Sequence, residues 1–117
     1  MIIFCATDAG PAKYLIPVIK KINYPYRVYG SSISIPFFKE AGINALASDN
    51  FYDDSEIKLA VLGTTLDYTL EKKILELSKL KNFLAISIIE HWTNYLERFF
   101  INGKYLFPDK IFVNDVL

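Results

Sequence analysis

The chain has 117 residues, with thirteen basic and thirteen acidic side chains, one cysteine, one histidine and one tryptophan. That length fits a single domain spanning residues 1–117, which buries roughly 65% of its unfolded surface and leaves no room for a second catalytic domain. The balanced charge, with no long block of either sign, excludes the bulk attraction to nucleic acid or anionic lipid that a basic face provides.

Residues 2–6 form a continuous apolar pentad, I-I-F-C-A, which reads as a central strand broken by Thr7-Asp8-Ala9-Gly10-Pro11. Cys5 lies inside that run as a small buried side chain, and a lone cysteine forms no internal disulfide. The opening lacks the basic flank and length of a signal segment, and no apolar run approaches the roughly 18 residues that span a bilayer. No transmembrane segment is expected, and the expected location is cytoplasmic. Eight tyrosines and nine phenylalanines leave open a peripheral contact at the inner membrane face, or contact between copies of the chain.

Pro11 suits the first turn of a helix, where its missing N–H has no helical partner. Leu15, Val18, Ile19 and Ile22 follow at helical spacing, with Lys13, Lys20 and Lys21 toward solvent. Pro17 removes a hydrogen bond beyond the first turn, so a kink or a late helix start is expected. Residues 26–29 read as a second strand, and Pro36 opens a short helix closed by Gly42. Residues 44–47 form a weak third strand, and residues 49–56 an acidic loop with room for one helical turn.

Residues 58–62 are a fourth strand, ended by Gly63-Thr64-Thr65. The next helix has the clearest pattern in the chain: Leu70, Ile74, Leu77 and Leu80 inward, with Glu71, Lys72, Lys73, Glu76 and Lys79 toward water. Residues 83–89 have the length and branching of a strand buried on both faces. They stop at Glu90-His91-Trp92. Asn102-Gly103, between two aromatic runs, is the dipeptide a two-residue hairpin turn prefers, and residues 111–113 form a sixth strand.

Strand and helix alternating over this length imply an α/β, Rossmann-like three-layer sandwich with a mostly parallel six-stranded sheet in the order 3-2-1-4-5-6. A small hairpin excursion falls near residues 99–107. The order reverses between the first and fourth strands. The crevice outside their carboxyl ends therefore gathers Asp8, Gly10, Thr64, Thr65, His91 and Asn94.

Several chemistries can be weighed at that crevice. No Gly-x-Gly-x-x-Gly or Walker-type motif is present, and Asp8 puts negative charge where a phosphate would sit, so a dinucleotide cofactor is not expected. A carboxylate there suits a hydroxyl-bearing ligand such as a sugar, or else only caps the helix. His91 titrates near neutral pH and can take a proton from an attacking hydroxyl, oriented by Glu90, Asp8 or Asp115; the competing reading is a structural imidazole beside Trp92. Asn94, Tyr95 and Arg98 are ligand-binding candidates or packing residues. One histidine and one cysteine do not make a zinc site, no spacing supports Mg²⁺ or Ca²⁺, and no nucleophile elbow is present.

Thr7-Asp8-Ala9-Gly10 with Leu15-Ile16-Pro17-Val18-Ile19 resembles the first turn and helix of the N-terminal domain in GT-B glycosyltransferases and related nucleotide-sugar 2-epimerases. Leu62-Gly63-Thr64-Thr65, Glu71-Lys72-Lys73, Glu90-His91-Trp92-Thr93-Asn94-Tyr95 with Arg98-Phe99, and Pro108-Asp109-Lys110-Ile111-Phe112-Val113-Asn114-Asp115 resemble a bacterial set of GT-B-like polysaccharide-biosynthesis proteins. The glycine-rich first loop and following histidine of many such enzymes are replaced here by Asp8-Ala9-Gly10-Pro11. The resemblance implies an acceptor-side domain whose partner is a donor-binding domain or subunit, with a sugar or glycolipid acceptor, a nucleotide-sugar as co-substrate and no other cofactor or metal. It implies His91 as base with Asp8 orienting it, and Gly10, Thr64, Thr65, Asn94, Tyr95, Arg98 and Asp115 around the ligand. The alternative is a non-catalytic nucleotide- or sugar-binding module or scaffold subunit.

Overall fold

The structure is a computed structural model that describes residues 1–53, 56–89 and 96–113. The strands are β1 (Ile2–Ala6), β2 (Tyr26–Gly30), β3 (Ala45–Ala47), β4 (Leu59–Leu62), β5 (Leu84–Ile89), β6 (Phe100–Ile101), β7 (Lys104–Tyr105) and β8 (Lys110–Val113). The helices are α1 (Ala9–Lys21), α2 (Ile35–Glu40) and α3 (Leu70–Lys81). Six strands form one parallel sheet in the order β3-β2-β1-β4-β5-β8, with β6 and β7 paired as a separate antiparallel hairpin. Since β8 is the sixth strand of the sheet in chain order, this is the doubly wound order expected from the sequence.

Side-chain alternation along β1 divides the core. Ile3 and Cys5 point to the α3 side, where they pack with Leu62, Ile74, Leu75 and Ala85. Ile2, Phe4 and Ala6 point to the other side, against Leu15, Ile19 and Phe38 of α1 and α2. Pro17 does not delay α1, which starts at Ala9 and runs through it to Lys21. Pro17 lies on the exposed side of the helix with Lys13, so the Lys13 carbonyl that loses its helical partner faces water.

The expectation that β5 is buried on both faces is not met. Ala85, Ser87 and Ile89 are buried on the α3 side, but Ile86 and Ile88 are only partly covered and Leu84 is 59% exposed. The cause is that α1 and α2 lie over the β1–β3 half of their face. Among the described residues no helix covers β4, β5 and β8 there. Val18, which the helical spacing turns inward, instead borders this bare half-face. With Leu59, Val61, Ile86, Ile88 and Phe112 it lines an apolar groove of about 370 Å³.

The hairpin forms as its turn dipeptide dictates, with Asn102 at φ 49° and Gly103 at φ 83°. Phe99 and Ile101 are buried on the α3 side of the sheet and anchor it. Full burial of one such side chain contributes about 2–3 kcal/mol. Leu106 N–H donates to the Phe99 carbonyl at 2.8 Å and extends the pairing beyond β6 and β7.

Candidate functional site

The β1 and β4 turns meet over the carboxyl end of the sheet, and Glu71 joins them. Ile3 and Cys5 point to the α3 side, so Thr7, two residues further on, continues in that direction. There its N–H donates to Glu71 Oε1 at 3.1 Å, and its hydroxyl makes a second, short hydrogen bond to the same oxygen. Glu71 is only 2% exposed. Its Oε2 has no hydrogen-bond partner among the described residues. A Cβ added to Gly63 would stand 2.6 Å from that oxygen and 2.7 Å from Pro11 Cβ, so glycine is what lets the carboxylate fit between the two turns.

Serines hold the β1 turn rigid. Ser34 Oγ donates to the Ala6 carbonyl and Ser31 Oγ to the Thr7 carbonyl, each at 2.5 Å, while Ser31 N–H donates to Ser34 Oγ at 2.9 Å. These bonds satisfy the carbonyls left over where β1 leaves the sheet.

Electrostatically the dominant feature is the buried Glu71 carboxyl. Burial pushes Glu71 up to about 7; the hydrogen bonds from Thr7 oppose that rise and the nearby Asp8 charge adds to it. Burial, followed by the Glu71 charge, also holds the Cys5 thiol well above its usual range, so it is inert. Lys72, next in sequence, is 4% exposed and its Nζ donates to the carbonyls of Leu66 at 2.7 Å, Phe100 at 3.1 Å and Glu97 at 3.3 Å. Burial lowers its pKa, Asp67 opposes this and Arg98 adds to it.

The expected helix face is therefore rotated. Glu71, Lys72, Ile74, Leu75 and Ser78 are buried, while Leu80 is 79% exposed. Glu71 and Lys72 face the interior rather than water, because each satisfies donors or acceptors that no apolar side chain could serve. Leu75 carried the signal in the sequence: it lies four residues after Glu71 on the same stripe, and the inward set built on Leu70 and Leu80 leaves it out.

Arg98, in the 3₁₀ turn Glu97–Phe99, donates from Nη1 to Thr64 Oγ1 at 3.1 Å and to the Thr64 carbonyl at 3.4 Å. Thr64, Thr65, Glu71, Ser87 and Arg98 line a cavity of about 10 Å³, room for roughly one water. Thr65 Oγ1 bonds the Asp67 carbonyl at 3.0 Å and Thr69 Oγ1 at 2.8 Å, which fixes the loop entering α3. Asp8 is the exposed N-cap residue of α1, makes no side-chain capping bond, and is near enough to raise Glu71; Gly10 lies in the first turn, partly exposed. His91, Asn94, Tyr95 and Asp115 lie outside the described residues.

A larger hollow, about 380 Å³, opens beside this cluster and is lined by Ser48, Asp49, Phe51, Tyr68, Thr69 and Lys73. Thr69 connects the two, since its Oγ1 lies 3.5 Å from Glu71 Oε1. Sequence reasoning missed this hollow, because residues 49–56 read as an acidic loop and Lys73 as a solvated helix face.

Among the described residues no group of three or more His, Cys, Asp or Glu side chains could hold a metal ion. Nor is any helix there long and apolar enough to cross a membrane. Compared with known protein families, curated proteins and solved structures, the chain matches none.

Proposed function

We propose that this chain is the acceptor-binding half of a GT-B-like glycosyltransferase acting in surface polysaccharide or glycoconjugate assembly, and that it takes a sugar in the hollow bounded by Asp49, Tyr68, Thr69 and Lys73. The hollow carries the reading. At about 380 Å³ it falls within the range of small-ligand sites, and it lies outside the carboxyl ends of parallel strands. It combines a carboxylate, an ammonium and hydroxyls with the Phe51 ring, the mixture that a sugar's hydroxyls and C–H faces require. His91 serves as the base that removes the acceptor proton, with Asp8 orienting it, and a separate donor-binding domain supplies the nucleotide-sugar.

Calorimetric titration of the chain with free saccharides and with nucleotide-sugars tests the binding step. Asp49→Asn and Lys73→Ala, both at exposed positions, should each weaken saccharide binding by about fivefold, the loss of one hydrogen bond. Unchanged affinity in both variants, or a nucleotide-sugar bound more tightly than any free saccharide, sinks the reading. With a donor-binding subunit added, His91→Ala should lower sugar transfer by about 10²–10⁴-fold.

A second reading, a scaffold subunit, is favoured by the bare apolar half-face over β4, β5 and β8. Sedimentation of the wild type against Phe112→Lys separates the two. Association lost in the variant, together with no saccharide binding, supports the scaffold.

A further inference from the structure

Parallel α/β sheets commonly hold a ligand's phosphate at the first strand-to-helix turn, where backbone N–H groups and the helix dipole favour an anion. Here two donors of that turn are already taken. Thr7 gives both its N–H and its hydroxyl to Glu71 Oε1. The other carboxylate oxygen and the Pro11 ring both border the space where a Gly63 side chain would stand, and Pro11 has no N–H to give. That oxygen is buried and unpartnered among the described residues, so a phosphate entering here would meet a bare carboxylate. The cations nearby are committed elsewhere, the buried Lys72 to three carbonyls and the half-buried Arg98 to Thr64.

The geometry points to Glu71 as a specificity-determining residue: its carboxylate fills the anion seat of the β1–α1 turn from within the chain, so the crevice refuses phosphate there and accepts ligands that present hydroxyls. Three features act together. Glu71 consumes the Thr7 donors, Pro11 removes a further one, and Asp8 adds negative charge at the rim. The inference concerns the same crevice as the proposed function but does not need sugar transfer to hold.

Inorganic phosphate, with no saccharide present, is the probe, titrated at pH 8.5 so that Glu71 is ionised. Binding is followed by calorimetry and by the Thr7 and Ala9 amide resonances. Wild type should show no saturable binding. Glu71→Ser should open the seat, bind phosphate at least about tenfold more tightly than wild type and shift both amides. Glu71→Gln keeps the shape of the plug and should remain closed. A wild type that binds phosphate as tightly as Glu71→Ser, or a folded Glu71→Ser with no gain, overturns the inference.

A measurement on the wild type stands in if Glu71→Ser does not fold. The Thr7 amide shift should titrate with a midpoint near 7, following Glu71. Added phosphate should leave that midpoint in place, and a midpoint that moves with phosphate overturns the inference. A failed saccharide titration leaves all of these outcomes untouched.

Discussion

Glu71 accepts both hydrogen bonds that Thr7 can donate, across a sequence separation of 64 residues. One carboxylate thereby couples the start of α3 to the end of β1, and the consequences can be measured.

Stability should fall as pH rises through the neutral range. Glu71 has its pKa raised to about 7 in the folded chain from an ordinary 4.5, so between those values the native state holds a proton that the unfolded chain has released. The contribution is present below the lower value and is lost through the upper one, amounting to about 3 kcal/mol. Cys5 and Asp8 are the other titratable groups facing it. Urea unfolding of wild type and Glu71→Gln at pH 5 and pH 8 should show the variant gaining on the wild type by most of that amount, about 2–3 kcal/mol, since pH 5 already lies above the lower value; parallel pH profiles would mean that Glu71 is not perturbed.

Gly63→Ala should destabilise the fold by about 1–3 kcal/mol, because the new methyl meets both the Glu71 carboxylate and the Pro11 ring. Combining it with Glu71→Ser should recover part of that loss, since one of the two collisions disappears. A double-mutant cycle on denaturation midpoints reads the coupling, and strict additivity would place Glu71 away from Gly63.

Lys72→Met should cost about 2–3 kcal/mol, since three carbonyls lose a charged donor at once. Its effect should be local. Amide exchange in β6 and β7 should accelerate well before exchange in β1, whereas uniform acceleration would show that Lys72 does not tie the hairpin down.

Gly103→Ala tests the turn alone. No atom lies within 4 Å of the added methyl, so only the left-handed backbone at φ +83° resists the change, at about 1 kcal/mol. A neutral result by thermal melting would mean that the turn relaxes.

The sheet was legible because its strands are apolar runs punctuated by Gly, Pro and Asp, and the strand order follows from the alternation of strand and helix. Asn102-Gly103 announced its turn by residue type alone. The face of α3 was not legible, since counting leucines favours Leu70 and Leu80 over a stripe containing Glu71 and Lys72. Only the partners of those charges, Thr7 on one strand and carbonyls near the hairpin, explain their burial, and no local pattern encodes contacts so distant in sequence. The pairing of Arg98 with Thr64 was not legible: each was a ligand-binding candidate on its own, and the contact from the Arg98 side chain to the Thr64 backbone and hydroxyl spans 34 residues. His91, on which the imidazole chemistry centres, lies outside the described residues.

With Leu84 59% and Phe112 55% exposed, the folded protein already presents an oily surface to solvatochromic dyes. In a dye-reported heating ramp the signal should start bright and rise little on melting, so calorimetry should reveal a transition that the dye understates.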